Sequence, residues 1–265
     1  MNQSGERKVV EDKTRFLVRR ENRVVSILSV LAVFAAWEIL GRSGLVTPLF
    51  LPPFTAVLRS GLEMVQSGEI LEHLAASLWR IGCGFFMGAA AGILTGLATG
   101  YSQLADDVAH PVIAATYPIP KIAILPLLIL WLGIGEASKI TVIALGVFFP
   151  VAINVRAGVR NMETVLIKAA LSLGSGPLHI VTRVILPASV PMIFAGLKLG
   201  IGIALLLVVT AEMIAADKGI GFLILSAADL MQTPRLLFGI LVLSLMGISF
   251  AWILEKLERR LVPWR

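Results

Sequence analysis

Six stretches of mostly apolar residues, each close to the length needed to cross a bilayer, leave this 265-residue chain few ways to fold. They run from Val24 to Leu45, Ile81 to Thr99, Val112 to Ile134, Ile140 to Val155, Val190 to Ala216 and Leu236 to Leu254. A hydrocarbon core of roughly 30 Å needs about 20 apolar residues per helix, and within it every backbone N–H and C=O must find a partner in the protein. The runs are continuous and rich in Leu, Ile, Val, Ala and Gly, without the alternation of barrel strands. An all-α integral membrane protein with about six transmembrane helices is the expected fold class. The 57% hydrophobic content, 15% charged residues and mean hydropathy of +0.88 lie outside the range of soluble domains.

A net charge of +6 would suit a nucleic-acid partner, but its placement argues against one. Arg7, Lys8, Lys13, Arg15, Arg19, Arg20 and Arg23 precede the first run, and Lys256, Arg259, Arg260 and Arg265 follow the last. Basic residues flanking spans mark the cytoplasmic side, so both termini are expected inside, which requires an even number of crossings. The same rule places the segment around Lys168, with Arg156, Arg160 and Arg183, in the cytoplasm, and segments 41–78, 135–139 and 217–235 outside. This divides the chain into a basic cytoplasmic segment (1–23), a transmembrane domain (24–258) and a cytoplasmic tail (259–265). The first run has the charged leader of a signal peptide. Its Glu38 and the following Gly41-Arg42, without a small-x-small cleavage site, favour a retained span. Cys83 is the only cysteine, which excludes a disulfide within the chain, and Trp37, Trp79, Trp131 and Trp252 fall near span ends.

Several local patterns qualify this outline. Prolines from Pro48 to Pro53 break the helical pattern, and Phe54 to Leu78 reads as one or two external amphipathic helices or as a partly ordered loop. In the second run Gly84, Gly88, Gly92, Gly96 and Gly100 form a small-residue seam for close helix packing, within one subunit or across a dimer. Tyr101 to His110, with Asp106 and Asp107, reads as a solvated cytoplasmic turn. Pro118, Pro120, Lys121 and Pro126 interrupt the third run, which marks either a kink or a pathway and gating element. Lys198 and Glu212 are about 21 Å apart along a helix axis. They are expected near opposite boundaries with their charges reaching water, or else along a pathway with Thr210.

The segment from Lys168 to Pro187, K-A-A-L-S-L-G-S-G-P-L-H-I-V-T-R-V-I-L-P, is amphipathic and long for a connection between spans. Ala169, Ala170 and Leu171 favour helix, Gly174 can end it, and Ser175-Gly176-Pro177 can start another. Leu178, Val181, Val184 and Ile185 would share an apolar face, with Pro187 as the stop before the fifth span. Two short helices with small residues at the bend offer a surface that a groove on another protein can grip.

This pattern resembles the loop of binding-protein-dependent ABC transporter permeases that reads E-A-A, three residues, G, nine residues, I-x-L-P. Ala169, Ala170, Gly174, Leu186 and Pro187 match it, while Lys168 stands at the acidic position and Val184 at the isoleucine. H-L-A-A-S-L-W-R-I at His73 to Ile81, P-I-P-K-I-A-I-L-P-L-L-I-L-W-L-G-I-G-E at Pro118 to Glu136, A-E-M-I-A-A-D-K-G-I-G at Ala211 to Gly221 and R-R-L-V-P-W at Arg259 to Trp264 are similar to the nitrate, sulfonate and taurine branch. The resemblance implies a multi-pass permease of a bacterial cytoplasmic membrane, paired as a homodimer. It also implies two cytosolic ATPase subunits that hold the ATP and Mg and grip a coupling loop at about 160–187, Gly176 and Pro177 included. An external binding protein would deliver a small solute such as an organic sulfonate, taurine, a nitrate-like anion or, alternatively, a cofactor precursor. Arg80, Lys121, Lys198 and Glu212 permit an anionic solute.

The sequence has no G-x-x-x-x-G-K-[ST] phosphate loop, so energy from ATP must come from another chain. A self-contained channel or secondary transporter is the second reading, although no internal repeat supports it. An intramembrane enzyme is the third, with only His73, His110 and His179 to serve it and no metal-ligand spacing among them.

Overall fold

A computed structural model describes residues 24–263, apart from the side chain of Leu178. The basic segment 1–23, Trp264 and Arg265 lie outside the described residues. The chain forms α1 (Val24–Arg42), α2 (Phe54–Gln66), α3 (Glu69–Tyr101), α4 (Gln103–Thr116), α5 (Leu125–Leu132) and α6 (Glu136–Arg160). It continues as α7 (Thr164–Ser172), α8 (Pro177–Ile180), α9 (Leu186–Ala215), α10 (Ile220–Asp229) and α11 (Thr233–Leu261). Five helices are individually long and apolar enough to cross a membrane, and α4 with the segment Lys121–Leu132 forms a sixth stretch bent by 89°. The protein is an all-α, multi-pass integral membrane protein.

At the centre α3 and α6 lie side by side in parallel. Gly84 faces Ile143, Gly88 faces Ala144 and Val147, Gly92 faces Val151, Gly96 faces Val155 and Gly100 faces Val159. Each step of four along α3 is matched by a step of four along α6, so the two helices keep one register for four turns. A row of glycines against a row of β-branched side chains brings the backbones close, and in lipid such contact is the main source of helix association. A Cβ at Gly88 would stand 2.3 Å from the Ala144 carbonyl oxygen, and one at Gly92 would stand 2.8 Å from that of Phe148. The glycine seam therefore faces α6 of the same chain.

Two parallel neighbours require the intervening chain to return from one end of the bundle to the other, and α4 with α5 makes that return. Its break coincides with Pro118 and Pro120, which remove two backbone donors from the helix. Lys121 completes the end of α4: its ammonium donates to the carbonyls of Thr116 (2.8 Å), Tyr117 (3.1 Å) and Ile119 (2.8 Å). On the other side of α6 runs α9, antiparallel, with Gly196 against Val151 and Gly158 against Met192. α10 and α11 close the bundle against α9, while Gly61 of α2 meets Phe238 of α11. α1 is mostly exposed. Its last turns rest on the start of α2, where Trp37 Nε1 donates to the Pro52 carbonyl (3.0 Å) and the rings of Phe34 and Trp37 pack at a tilt against Phe54.

Three expectations need correction. The second span begins at Glu69 rather than Ile81, because His73, Ser77 and Arg80 are polar residues with partners inside the bundle and not a water-facing leader. Tyr101 to His110 is not a solvated turn. Ser102 caps α4, accepting from Ala105 N at 3.3 Å, and Asp106 in its first turns is buried. Pro187 does not stop the helix before the fifth long span. A π-helical stretch at Val181–Ile185 absorbs the bonding that proline forfeits, and the chain stays helical to Ala215.

Candidate functional site

Among the described residues, three places bring together the charged side chains considered for a site. The first lies where α3, α6 and α9 begin or end together. His73, Ser77 and Arg80 sit on one face of α3 at helical spacing and meet the 216–221 turn between α9 and α10. Gly219 N–H donates to His73 Nδ1 (3.0 Å), Ile220 N–H to Ser77 Oγ (2.9 Å) and Gly221 N–H to Glu212 Oε2 (2.8 Å). These are the orphan donors at the start of α10, and a carboxylate there also suits the positive end of the helix dipole. Gly219, at φ +129°, brings the turn onto Glu212, where a Cβ would fall 2.3 Å from the carboxyl carbon.

Glu212 is fully buried and Arg80 is 3% exposed. Arg80 Nη1 donates to Glu212 Oε1 (2.9 Å) and to the Lys218 carbonyl, while Nε and Nη2 form a two-pronged pair with Glu136 at 2.7 Å each. Ser77 Oγ donates to Glu212 (2.8 Å). Buried Lys139 donates to the Ala215 carbonyl (2.9 Å) and lies 3.5 Å from Glu136. Two cations and two carboxylates thus balance, and Arg80 uses four of its five N–H donors with every guanidinium nitrogen engaged. Buried charges are tolerable when paired and fully hydrogen-bonded in this way. At the rim the Glu72 carboxylate, 2.9 Å from Lys218, holds that ammonium above the usual lysine range. Glu212 therefore does not reach toward water as expected, and Arg80 is a fastener rather than a free cation.

The second place is the opposite end of α6. Asp106 accepts from Arg156 Nε and Nη2 (2.5 and 2.9 Å) and from Arg160 Nη2 (2.6 Å), which ties the start of α4 to the end of α6. Immediately beyond comes the Lys168 to Pro187 segment. Gly174, at φ +76°, ends α7 in a Schellman turn: Ser175 N–H donates to Ala170 O (3.0 Å) and Gly174 N–H to Leu171 O (2.9 Å). Ala170, Ile180 and Ile185 are buried against Val159 of α6, with Val181 and Val184 at the edge. Part of the expected apolar face thus packs onto its own chain. Exposed on the loop are Val165, Leu171, Leu173 at 85%, Lys168, Ala169, Gly176, Pro177 and Leu186.

The third place is a groove of about 540 Å³ between the Pro120 break and α9. Lys121 and Lys198 both line it, together with Leu199, Ile203 and Leu206. Lys198 pairs with Glu258 of α11 rather than pointing freely to water. Thr210 does not line the groove; its hydroxyl donates to the Leu206 carbonyl at 2.8 Å within α9.

Sequence reasoning passed over Ser77, Glu136, Lys139, Gly219 and Gly221 as site residues. Except for Lys139, they stand in three of the four branch motifs, His73 to Ile81, Pro118 to Glu136 and Ala211 to Gly221, which the fold brings to one point.

The family model for the binding-protein-dependent transport system inner membrane component matches residues 88–263. The chain belongs to this family. The permease is 38% identical over 245 residues to the taurine transport system permease protein TauC of Escherichia coli, covering 91% of this chain and 89% of that one. To the putative aliphatic sulfonates transport permease protein SsuC of Bacillus subtilis it is 34% identical, covering 93% and 90%. A formylaminopyrimidine transport permease protein, ThiX of Halalkalibacterium halodurans, is 28% identical over 90% of this chain and 94% of its own. The inward-facing MetNI methionine ABC transporter shares the fold, with a TM-score of 0.58 at 18% identity, covering 72% of this chain and 94% of that one. This permease is thus an ABC-importer subunit of the nitrate, sulfonate and taurine branch.

Proposed function

We propose that this permease forms a homodimer with six crossings per subunit and both termini in the cytoplasm, and imports a small organic anion. A sulfonate such as taurine is the solute class favoured by its similarity to the taurine and aliphatic sulfonate permeases. An external binding protein delivers the solute, and two cytosolic ATPase subunits bind the loop at 160–187. The observation that carries the energetic half of this reading is the loop itself. Its buried face anchors it to Val159, while Leu173, Leu171 and Lys168 project outward. A rigidly mounted loop transmits force to α6, whereas a loosely tethered one would only tether. ATP can shift the permease between outward and inward states only if its ATPase partners bind those states unequally.

Pro118, Pro120, Lys121 and Lys198 border the solute pathway in this reading, Thr210 lies on the same helix as Lys198, and Glu212 acts as a fastener near its outer end. The second solute reading, a neutral or cationic cofactor precursor, rests on the similarity to the formylaminopyrimidine permease. Co-purification with the cognate ATPase, followed by hydrolysis assays in the presence of loaded binding protein, tests the reading. Stimulated hydrolysis is expected. A chain that transports alone, without either partner, would overturn it.

A further inference from the structure

The groove at the α4–α5 break holds a charge that no carboxylate among the described residues neutralises. Lys121 Nζ is solvated by three carbonyl oxygens and lies 4.1 Å from the centroid of the Phe149 ring. Among the described residues it forms no ion pair with a carboxylate. Five other cations of the bundle differ: Arg80 and Lys139 share Glu136, Arg156 and Arg160 share Asp106, and Lys198 has Glu258. Carbonyls and an aromatic face solvate an ammonium but leave its unit charge in place, and such a charge is costly in a membrane-spanning segment unless a counter-ion arrives.

Apart from Lys198, whose charge is met by Glu258, the rest of the groove is apolar. Leu199, Ile203 and Leu206 form the facing wall on α9, and Gly202 leaves a recess, since nothing lies within 4 Å of where its Cβ would stand. A single cation without a carboxylate partner on one wall and mainly aliphatic side chains on the other suit a short organic molecule with one anionic head.

We propose that Lys121 is the specificity-determining residue of a transit subsite, binding the anionic head of the solute while the α9 wall takes its carbon chain. This rests on the importer reading and adds to it a position and a charge rule. Because its three donors already meet the end of α4, Lys121 acts first through its charge. Direct contact with the solute exchanges a carbonyl for an anionic oxygen and loosens the cap on the break.

The test uses the complete complex with its ATPase and binding protein in liposomes, with radiolabelled taurine and ethanesulfonate as probes. Lys121→Met should keep hydrolysis stimulated by loaded binding protein but reduce sulfonate uptake by about 10- to 100-fold, the scale of a lost charge-assisted hydrogen bond. Lys121→Arg should restore most of the uptake. A second pair leaves the cap intact: Leu206→Asp, which supplies a competing carboxylate from the facing wall, should block uptake, whereas the isosteric Leu206→Asn, which alters the same wall without a charge, should lower it far less. Wild-type uptake by Lys121→Met or Leu206→Asp overturns the proposal. So does joint loss of hydrolysis and uptake in both Lys121→Met and Lys121→Arg, which would leave Lys121 as a helix cap only. If wild-type hydrolysis ignores the binding protein, the importer reading itself fails and this subsite falls with it.

Discussion

Arg80 and Glu212 lie 132 residues apart in sequence and 2.9 Å apart in space, at the point where three helices and the 216–221 turn converge. The pair holds the start of α3 to the end of α9, and through Glu136 to the start of α6. Removing one partner leaves the other charged and buried, at a cost of about 3–5 kcal/mol. Arg80→Ala is therefore expected to lower the thermal stability of the detergent-purified protein sharply. Glu212→Gln should do less harm, because the amide can still accept from the Gly221 N–H. Melting followed by size-exclusion chromatography distinguishes the two, and equal stability of Arg80→Ala and wild type would remove the fastener role.

The α3–α6 seam makes a positional prediction. Gly88→Ala places a methyl group 2.3 Å from the Ala144 carbonyl oxygen and should cost about 1–3 kcal/mol as an overpacked contact. Gly82→Ala, on the same helix with nothing within 4 Å, should be neutral or slightly stabilising, by up to about 1 kcal/mol. Thermal melting of the two variants side by side checks this. Equal effects would mean that the seam is not close-packed.

Asp106 links the start of α4 to the helix that carries the loop. Asp106→Asn weakens its two-arginine clamp while leaving the loop surface untouched. The expected outcome is a complex that assembles and hydrolyses ATP but moves less solute per ATP. Uptake and hydrolysis measured on one preparation give that ratio, and an unchanged ratio would count against transmission through this clamp.

The loop offers a test by charge. Lys168 stands where relatives of the pattern carry an acid, so Lys168→Glu should weaken association with the ATPase if Lys168 pairs with an acidic residue of the groove. Pull-down at low salt, where screening is weak, is the sensitive condition, and a compensating charge reversal on the ATPase should restore binding. An unchanged complex at low salt would exclude the pair. Gly174→Ala, forced into a left-handed conformation, should reduce association without altering any charge.

Much of the fold was legible because hydropathy reports what leaves water, whether for lipid or for the bundle core. Val142, Val147 and Leu207 belong to runs that composition alone identifies, and the Gly84 to Gly100 spacing signals a seam whatever its partner. Polar residues inside the bundle misled the same reasoning. Arg80, Ser77 and His73 looked like a boundary because their partners, Glu136, Glu212 and the Gly219 to Gly221 backbone, lie up to 146 positions away. Asp106 looked solvated for the same reason. Ion pairs between distant helices leave no periodicity in a sequence. Pro187 misled differently, since a proline that ends an isolated helix can be absorbed by a π-helical turn when the neighbouring helices hold the chain in place.

The central claim is that ATP, hydrolysed elsewhere, drives an organic anion through this permease. The initial rate of radiolabelled taurine accumulation in liposomes containing the full complex, with binding protein outside and ATP supplied at the ATPase face, tests it most directly. Accumulation against a gradient is expected, and it should stop when ATP or the binding protein is withheld. Accumulation that persists without ATP, or hydrolysis stimulated only by a binding protein carrying a neutral or cationic solute, would contradict it.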